Sequence, residues 1–150
     1  MTDSSVTVFS NVQNKLGESP LWHPLLETLF WVDIEKNLLL SKCLTKPDSL
    51  TQVEMQDTVS ALAWLDKAHL IIGTSTGIYK YHIASGVRQT LTFLENTQPT
   101  RRSNDGRADP WGGFWLSTMD TNARSGGGKI YRFYQNSLNC VVQGLTIPNG

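Results

Sequence analysis

Apolar residues along this chain come in short runs rich in β-branched and aromatic side chains. Leu29-Phe30-Trp31-Val32-Asp33, Ala61-Leu62-Ala63-Trp64, Leu70-Ile71-Ile72-Gly73-Thr74, Gly77-Ile78-Tyr79-Lys80-Tyr81, Phe114-Trp115-Leu116-Ser117-Thr118 and Lys129-Ile130-Tyr131-Arg132-Phe133 each read as a strand. Turn chemistry separates them, at Thr74-Ser75-Thr76-Gly77, Ala84-Ser85-Gly86, Asp109-Pro110-Trp111-Gly112-Gly113 and Ser125-Gly126-Gly127-Gly128. No window sustains the 3.6-residue period of an amphipathic helix. The pattern predicts an all-β fold.

The strands repeat. Ser19-Pro20-Leu21-Trp22 aligns with Ala61-Leu62-Ala63-Trp64, which sets the two tryptophans about 42 residues apart. A turn and an apolar strand follow each, Thr28–Asp33 in the first unit and His69–Thr74 in the second. A third unit runs from Asn104 through the Asp109–Gly113 turn to Phe114–Thr118, and a fourth opens at Asn149, about 45 residues on. Such a period, with short strands and no helix, reads as the blades of a β-propeller. Three units fit in residues 1–150, which form one partial-propeller domain. A ring of four to eight blades needs more. Either a second half follows, or two copies close the ring as a homodimer and cover the open sheet edges.

Composition narrows the class. An apolar fraction of 39% with 17% charged residues argues against disorder. Zero formal charge without a basic block makes nucleic acid an unsuited partner. No apolar run approaches the roughly 20 residues of a membrane span, and Met1-Thr2-Asp3-Ser4-Ser5 lacks the features of a secretory signal. The expected compartment is the cytoplasm. Cys43 and Cys140 lie in alternating apolar stretches outside any C-x-x-C pair, and read as free thiols acting as small hydrophobes. The tryptophans read as blade-packing residues.

Three polar signatures sit at the repeat starts: Gly17-Glu18-Ser19-Pro20, Arg102-Ser103-Asn104-Asp105-Gly106 and Ile147-Pro148-Asn149-Gly150. In a propeller the repeat starts approach one axis, so Glu18 would line the channel. Asn-Asp-Gly alone is a turn signal with glycine at positive φ. In an extended segment, however, Arg102 and Asn104 face the same side, and an arginine fork beside an amide suits a polyhydroxylated or anionic ligand. Pro148 forces an extended approach to Asn149 and Gly150 permits a sharp exit. An asparagine oxygen is a hard ligand for Ca²⁺, Mg²⁺ or Mn²⁺. His23, His69 and His82 show no metal-like spacing and read as structural. There is no G-x-S-x-G, P-loop or G-x-G-x-x-G motif, and Gly126-Gly127-Gly128 precedes a strand and reads as a flexible hairpin loop.

These residues resemble the regucalcin/gluconolactonase family, the SMP-type sugar lactonases. The resemblance runs through Gly17-Glu18-Ser19-Pro20-Leu21-Trp22, Phe30-Trp31-Val32-Asp33-Ile34, Arg102-Ser103-Asn104-Asp105-Gly106-Arg107-Ala108-Asp109-Pro110, Thr118-Met119, Gly128-Lys129-Ile130-Tyr131-Arg132 and Ile147-Pro148-Asn149-Gly150. It implies a six-bladed β-propeller with one divalent metal at the axis, Ca²⁺, Zn²⁺, Mn²⁺ or Mg²⁺. It assigns the metal ligands to Glu18 and Asn149 and substrate contacts to Arg102 and Asn104. The loop after Thr118-Met119 shapes the family's pocket, which brings in Asn122. The family's general-base aspartate has no counterpart in residues 1–150, so no catalytic base is assigned. The implied activity is metal-dependent hydrolysis of a sugar lactone, with the second half needed for turnover. The alternative is a non-catalytic propeller that binds calcium or a sugar.

Overall fold

The structure, a computed structural model, describes residues 5–94 and 99–150. Of the amino-terminal stretch read above as lacking a signal, Met1–Ser4 lie outside the described residues. Among the described residues, twelve strands form three four-stranded antiparallel sheets, each built from consecutive strands. The first holds β1 (Gly17–His23), β2 (Thr28–Asp33), β3 (Leu38–Cys43) and β4 (Thr51–Glu54). The second holds β5 (Val59–Asp66), β6 (His69–Thr74), β7 (Gly77–His82) and β8 (Arg88–Phe93). The third holds β9 (Arg101–Ala108), β10 (Phe114–Asp120), β11 (Gly128–Tyr134) and β12 (Ser137–Leu145). The first strands β1, β5 and β9 lie against one another, so the sheets radiate from a shared inner edge as three propeller blades.

Two hydrophobic layers join the blades. Phe30, Val32 and Leu39 of the first meet Val59, Leu62, Leu70, Ile72, Tyr79 and Tyr81 of the second. Ala61, Ala63 and Ile78, from the opposite face of the second, meet Phe114 and Leu116 of the third. The middle blade is therefore buried on both faces. Leu70-Ile71-Ile72 is apolar without alternation for that reason, because Leu70 and Ile72 serve one layer and Ile71 the other. Full burial of a side chain such as Leu70 or Ile72 stabilises the fold by about 1.5–3 kcal/mol.

Each blade braces the chain entering its first strand from the end of its second. Asp33, fully buried, accepts the backbone N–H groups of Lys15 (2.7 Å) and Leu16 (3.1 Å). Thr74 donates to Asp57 (2.7 Å), and Asp120 accepts from Thr100 (3.0 Å). Burial opposes ionisation of Asp33, but these N–H groups, that of Lys36 and the Lys36 ammonium together hold its carboxyl below the usual range.

Some sequence readings change. Of the two readings of Asn104-Asp105-Gly106, a turn or an extended segment, the extended one holds, since the triplet lies in the middle of β9. Gly106 is needed for close approach, since a Cβ there would lie 2.3 Å from the Trp115 carbonyl oxygen and 2.8 Å from the Ala61 Cβ. Only Trp31 of the five tryptophans is buried in the core. Leu21 packs into the first layer, so its neighbour Trp22 points to the opposite side of the strand, and Trp22 and Trp64 face a cavity along the inner edge. Both cysteines are free, but Cys140 is exposed on β12 instead of packed. The glycine triplet is also not wholly a loop, because Gly128 opens β11 in a crowded position.

Candidate functional site

All three first strands carry a register shift near their start. It falls between Glu18 and Leu21 in β1, between Val59 and Ala61 in β5, and opposite Leu116–Thr118 in β9, where Ser103 pairs with Thr118 and Gly106 with Leu116. A bulge leaves a residue outside the ladder and re-aims its side chain. The residues left outside the ladder are Ser19 and Pro20 in β1, Ser60 in β5 and Asn104 and Asp105 in β9, and Glu18, still paired with Val32, borders the first of these bulges. In β1 the bulge is sharpened by Ser19, whose φ of 51° is left-handed. Ser19 Oγ accepts the Leu62 N–H at 3.0 Å, which pins the Glu18 segment to the second blade.

At the head of β9, Arg102 Nη1 donates to Asn104 Oδ1 (3.0 Å) and to the Ser103 carbonyl (2.8 Å). Asn104 Nδ2 in turn donates to the Pro148 carbonyl at 2.9 Å. Both polar ends of Asn104 are thus engaged, one by the arginine and one by the 147–150 segment. Asp105 accepts the Gly150 N–H at 3.0 Å through one carboxylate oxygen, and the Gly106 N–H at 2.7 Å through the other. Two sequence signatures some 45 residues apart are therefore stitched together. The third joins them across a cavity of about 500 Å³ whose lining includes Glu18, Trp22, Trp64, Asp105, Arg107 and Gly150.

Electrostatics links the same residues. Burial lowers the Arg102 guanidinium below its ordinary pKa, and the Glu35 and Glu18 carboxylates oppose that shift. A guanidinium remains charged at neutral pH under such a shift. Arg102 is half-buried, whereas Glu18 and Asn149 are exposed. An arginine fork therefore stands within the field of the Glu35 and Glu18 carboxylates.

Asn122 lies on the exposed turn that follows β10, beyond the strand end that pairs with the head of β9. Its backbone N–H donates to Asp120 at 2.8 Å. The histidines have protein partners: His23 is buried with Nε2 3.0 Å from the Asp66 carbonyl, His69 meets Asp66 at 2.8 Å, and His82 meets Ser85 at 2.8 Å.

The Glu18 carboxylate and the Asn149 amide oxygen suit a hard cation in kind, but they line different cavities, Glu18 that of Trp22 and Trp64 and Asn149 that of Ser117 and Pro148. The donor set is incomplete in number. Among the described residues no group of three His, Cys, Asp or Glu side chains could hold a metal ion, and Ca²⁺ takes about six to eight oxygens. Asp105 lies nearby, but both its oxygens already accept backbone N–H groups.

Sequence reasoning passed over Ser117 and Gly128. Ser117 Oγ accepts the Asp105 N–H and donates to the Pro148 carbonyl, both at 3.0 Å. Pro148 leaves no room for a side chain at Gly128, where a Cβ would stand 2.7 Å from Pro148 Cδ. A serine breaking the apolar run Phe114–Leu116 and a glycine opening a strand were the available signals.

Comparison with known proteins gives a consistent result. Residues 16–150 match the family described as the SMP-30/Gluconolactonase/LRE-like region. The chain is 30% identical over 146 residues to the L-arabinolactonase of Azospirillum brasilense, spanning 95% of this chain and 47% of that protein. It is 30% identical to a pentonolactonase of Haloferax volcanii, over 97% of this chain and 48% of that protein. The crystal structure of a calcium-binding protein, regucalcin, from Agrobacterium tumefaciens superposes with a TM-score of 0.90 at 30% identity, covering 95% of this chain and 48% of that one. The chain spans about half the length of these relatives.

Proposed function

The chain belongs to the SMP-30/gluconolactonase/LRE-like family, and from that premise we propose that residues 1–150 are the sugar-gripping, cation-sharing half of a sugar-lactone hydrolase. The observation that carries the reading is the continuous hydrogen-bonded path from Arg102 through Asn104 to the Pro148–Gly150 segment, whose Gly150 lines the same cavity as Glu18.

Each residue has a role its chemistry allows. Arg102 donates to the lactone or hydroxyl oxygens and orients the ring, which a guanidinium does without ligating a cation. Asn104 fixes the fork of Arg102 and so acts on substrate chiefly through it. Asn122 bounds the pocket from the β10–β11 turn. Trp22 and Trp64 offer apolar faces beside the polar rim and exclude water. Glu18 and Asn149 would hold a divalent cation, sharing it with ligands from the rest of a complete ring or with water. When bound, such a cation supplies Lewis-acid polarisation of the carbonyl. A proton acceptor for the attacking water belongs to that same remainder. The alternative, a propeller that binds calcium or a sugar without turnover, is supported by the likeness to the calcium-binding regucalcin.

One assay separates the two. Protein with the complete ring, residues 1–150 included, is supplied with a panel of aldonolactones, and acid release is followed by titration with and without a chelator. The hydrolase reading expects chelator-sensitive turnover restored by a divalent cation. Saturable cation or sugar binding without acid release would replace it with the binding reading.

A further inference from the structure

Asn149 is exposed on a short segment outside any strand, yet the peptide groups on both sides of it are tied down. The Pro148 carbonyl accepts two hydrogen bonds, from Asn104 Nδ2 (2.9 Å) and Ser117 Oγ (3.0 Å). The Gly150 N–H is held by Asp105 (3.0 Å). Pro148 itself is buried against Gly128, in a seat that any side chain at Gly128 would fill. Ser117 is the hub of this arrangement. Its buried hydroxyl accepts from the Asp105 backbone at 3.0 Å while donating to Pro148, so one oxygen locks β9, β10 and the 147–150 segment together.

We propose that Ser117 is a positioning residue for the cation site: its hydroxyl, with Asp105 on the other flank, fixes the backbone of Asn149 so that the side-chain oxygen meets a shared cation. The proposal rests on the reading of Asn149 as a cation ligand. The physical reason is general. A ligand on an untethered segment loses its conformational freedom when the ion binds, whereas a tethered one has lost it on folding. Groups that orient a metal ligand typically change affinity about 10–100-fold when removed. Ser117 is suited to the task because a hydroxyl both donates and accepts, and here both capacities are used inside the protein.

The test is a double-mutant cycle on folded protein, with Mn²⁺ affinity measured by calorimetric titration. Ser117→Ala weakens Mn²⁺ binding about tenfold or more. Asn149→Ala weakens it as well, and Ser117→Ala adds nothing further in the Asn149→Ala background, because the serine acts only through that ligand. Equal losses in both backgrounds, or no loss from Ser117→Ala, overturn the positioning role while leaving Asn149 a ligand. Unchanged affinity in Asn149→Ala removes the ligand reading, and the proposal with it. Asp105→Ala, which frees the Gly150 flank, is carried through the same cycle with the same expectations. It decides the matter if Ser117→Ala lowers the folded fraction.

Discussion

The heads of β5 and β9 occupy the same place in successive blades and share the same bulge, yet only one is chemically equipped. In β5 the bulge falls at Val59-Ser60-Ala61, where all three residues are fully buried. The Ser60 hydroxyl has no hydrogen-bond partner in the structure. In β9 the corresponding stretch carries Arg102, Asn104 and Asp105, joined to one another or to the 147–150 segment by hydrogen bonds. The bulge is therefore a property of the blade, set by how a first strand must bend at a crowded axis. Which side chains stand at or beside the bulge differs from blade to blade. The middle blade, clamped between two hydrophobic layers, has become the scaffold, and its neighbours on either side hold Glu18 and Arg102.

The largest expected contrast between the two heads is catalytic. In a protein with the complete ring, Arg102→Ala should lower kcat/KM for a lactone substrate by about 100-fold, equivalent to about 2.7 kcal/mol of lost transition-state stabilisation, while Mn²⁺ affinity stays near wild type. Steady-state kinetics beside calorimetry check this. Loss of cation binding with unchanged substrate handling would reverse the assignment of Arg102.

A smaller effect tests the contact between the two strands. Gly106→Ala places a methyl against the Trp115 carbonyl and Ala61, and backbone cannot yield as a flexible side-chain tip would. The expected cost is about 1–3 kcal/mol, read from denaturant midpoints. An unchanged midpoint would mean that β9 can retreat from β5 freely.

Acid should act on the far end of β9 through Asp109. Asp109 accepts N–H groups from Trp111, Gly113, Trp115 and Arg132. Desolvation opposes its ionisation, but the Gly113 N–H, the Arg132 guanidinium and the Trp115 indole outweigh it and bring its pKa to about 2. An unfolded aspartate titrates near about 3.9. The stabilisation is thus fully present above about pH 4 and is lost as the pH falls towards about 2. Asp109→Asn should flatten the stability profile in that window, as followed by thermal melts at a series of pH values. An unaltered profile would show that Asp109 contributes nothing there.

The smallest effect is expected at β5. Ser60→Ala removes a buried hydroxyl that bonds to nothing in the structure, so stability should change by no more than about 0.5 kcal/mol, and in the stabilising direction if at all. Lactone turnover should not change. A marked loss of turnover in Ser60→Ala would bring β5 into the site and end the distinction between the heads.

Much of this was legible in the sequence because it depends on local pattern. Alternation, turn residues and a recurring Trp22/Trp64 spacing are enough to specify short antiparallel strands in blades, since a strand's side-chain period and a hairpin's turn are set within a few residues. The candidate residues Glu18, Arg102, Asn104 and Asn149 also stood out, as polar groups at repeat starts flanked by apolar strands. Sequence alone did not decide whether Asn104-Asp105-Gly106 turns or lies in a strand. Its turn propensity is real, and packing of Gly106 against Ala61 and Trp115 overrides it. Nor did it reveal that Trp22 turns away from the core that its neighbour Leu21 fills, to stand with Trp64 along a cavity at the inner edge. Strand faces are fixed by register, and a single bulge reassigns them. The roles of Ser117 and Gly128 were hidden for a related reason. Each is defined by a partner about 20–30 residues away in sequence, and hydrogen bonds and close approaches of that range exist only once the sheets have stacked. The sequence by itself determined the strands, their repeat and the chemical inventory. The tertiary structure decided which of those groups meet, because only stacking against neighbouring blades selects the face each bulged strand presents.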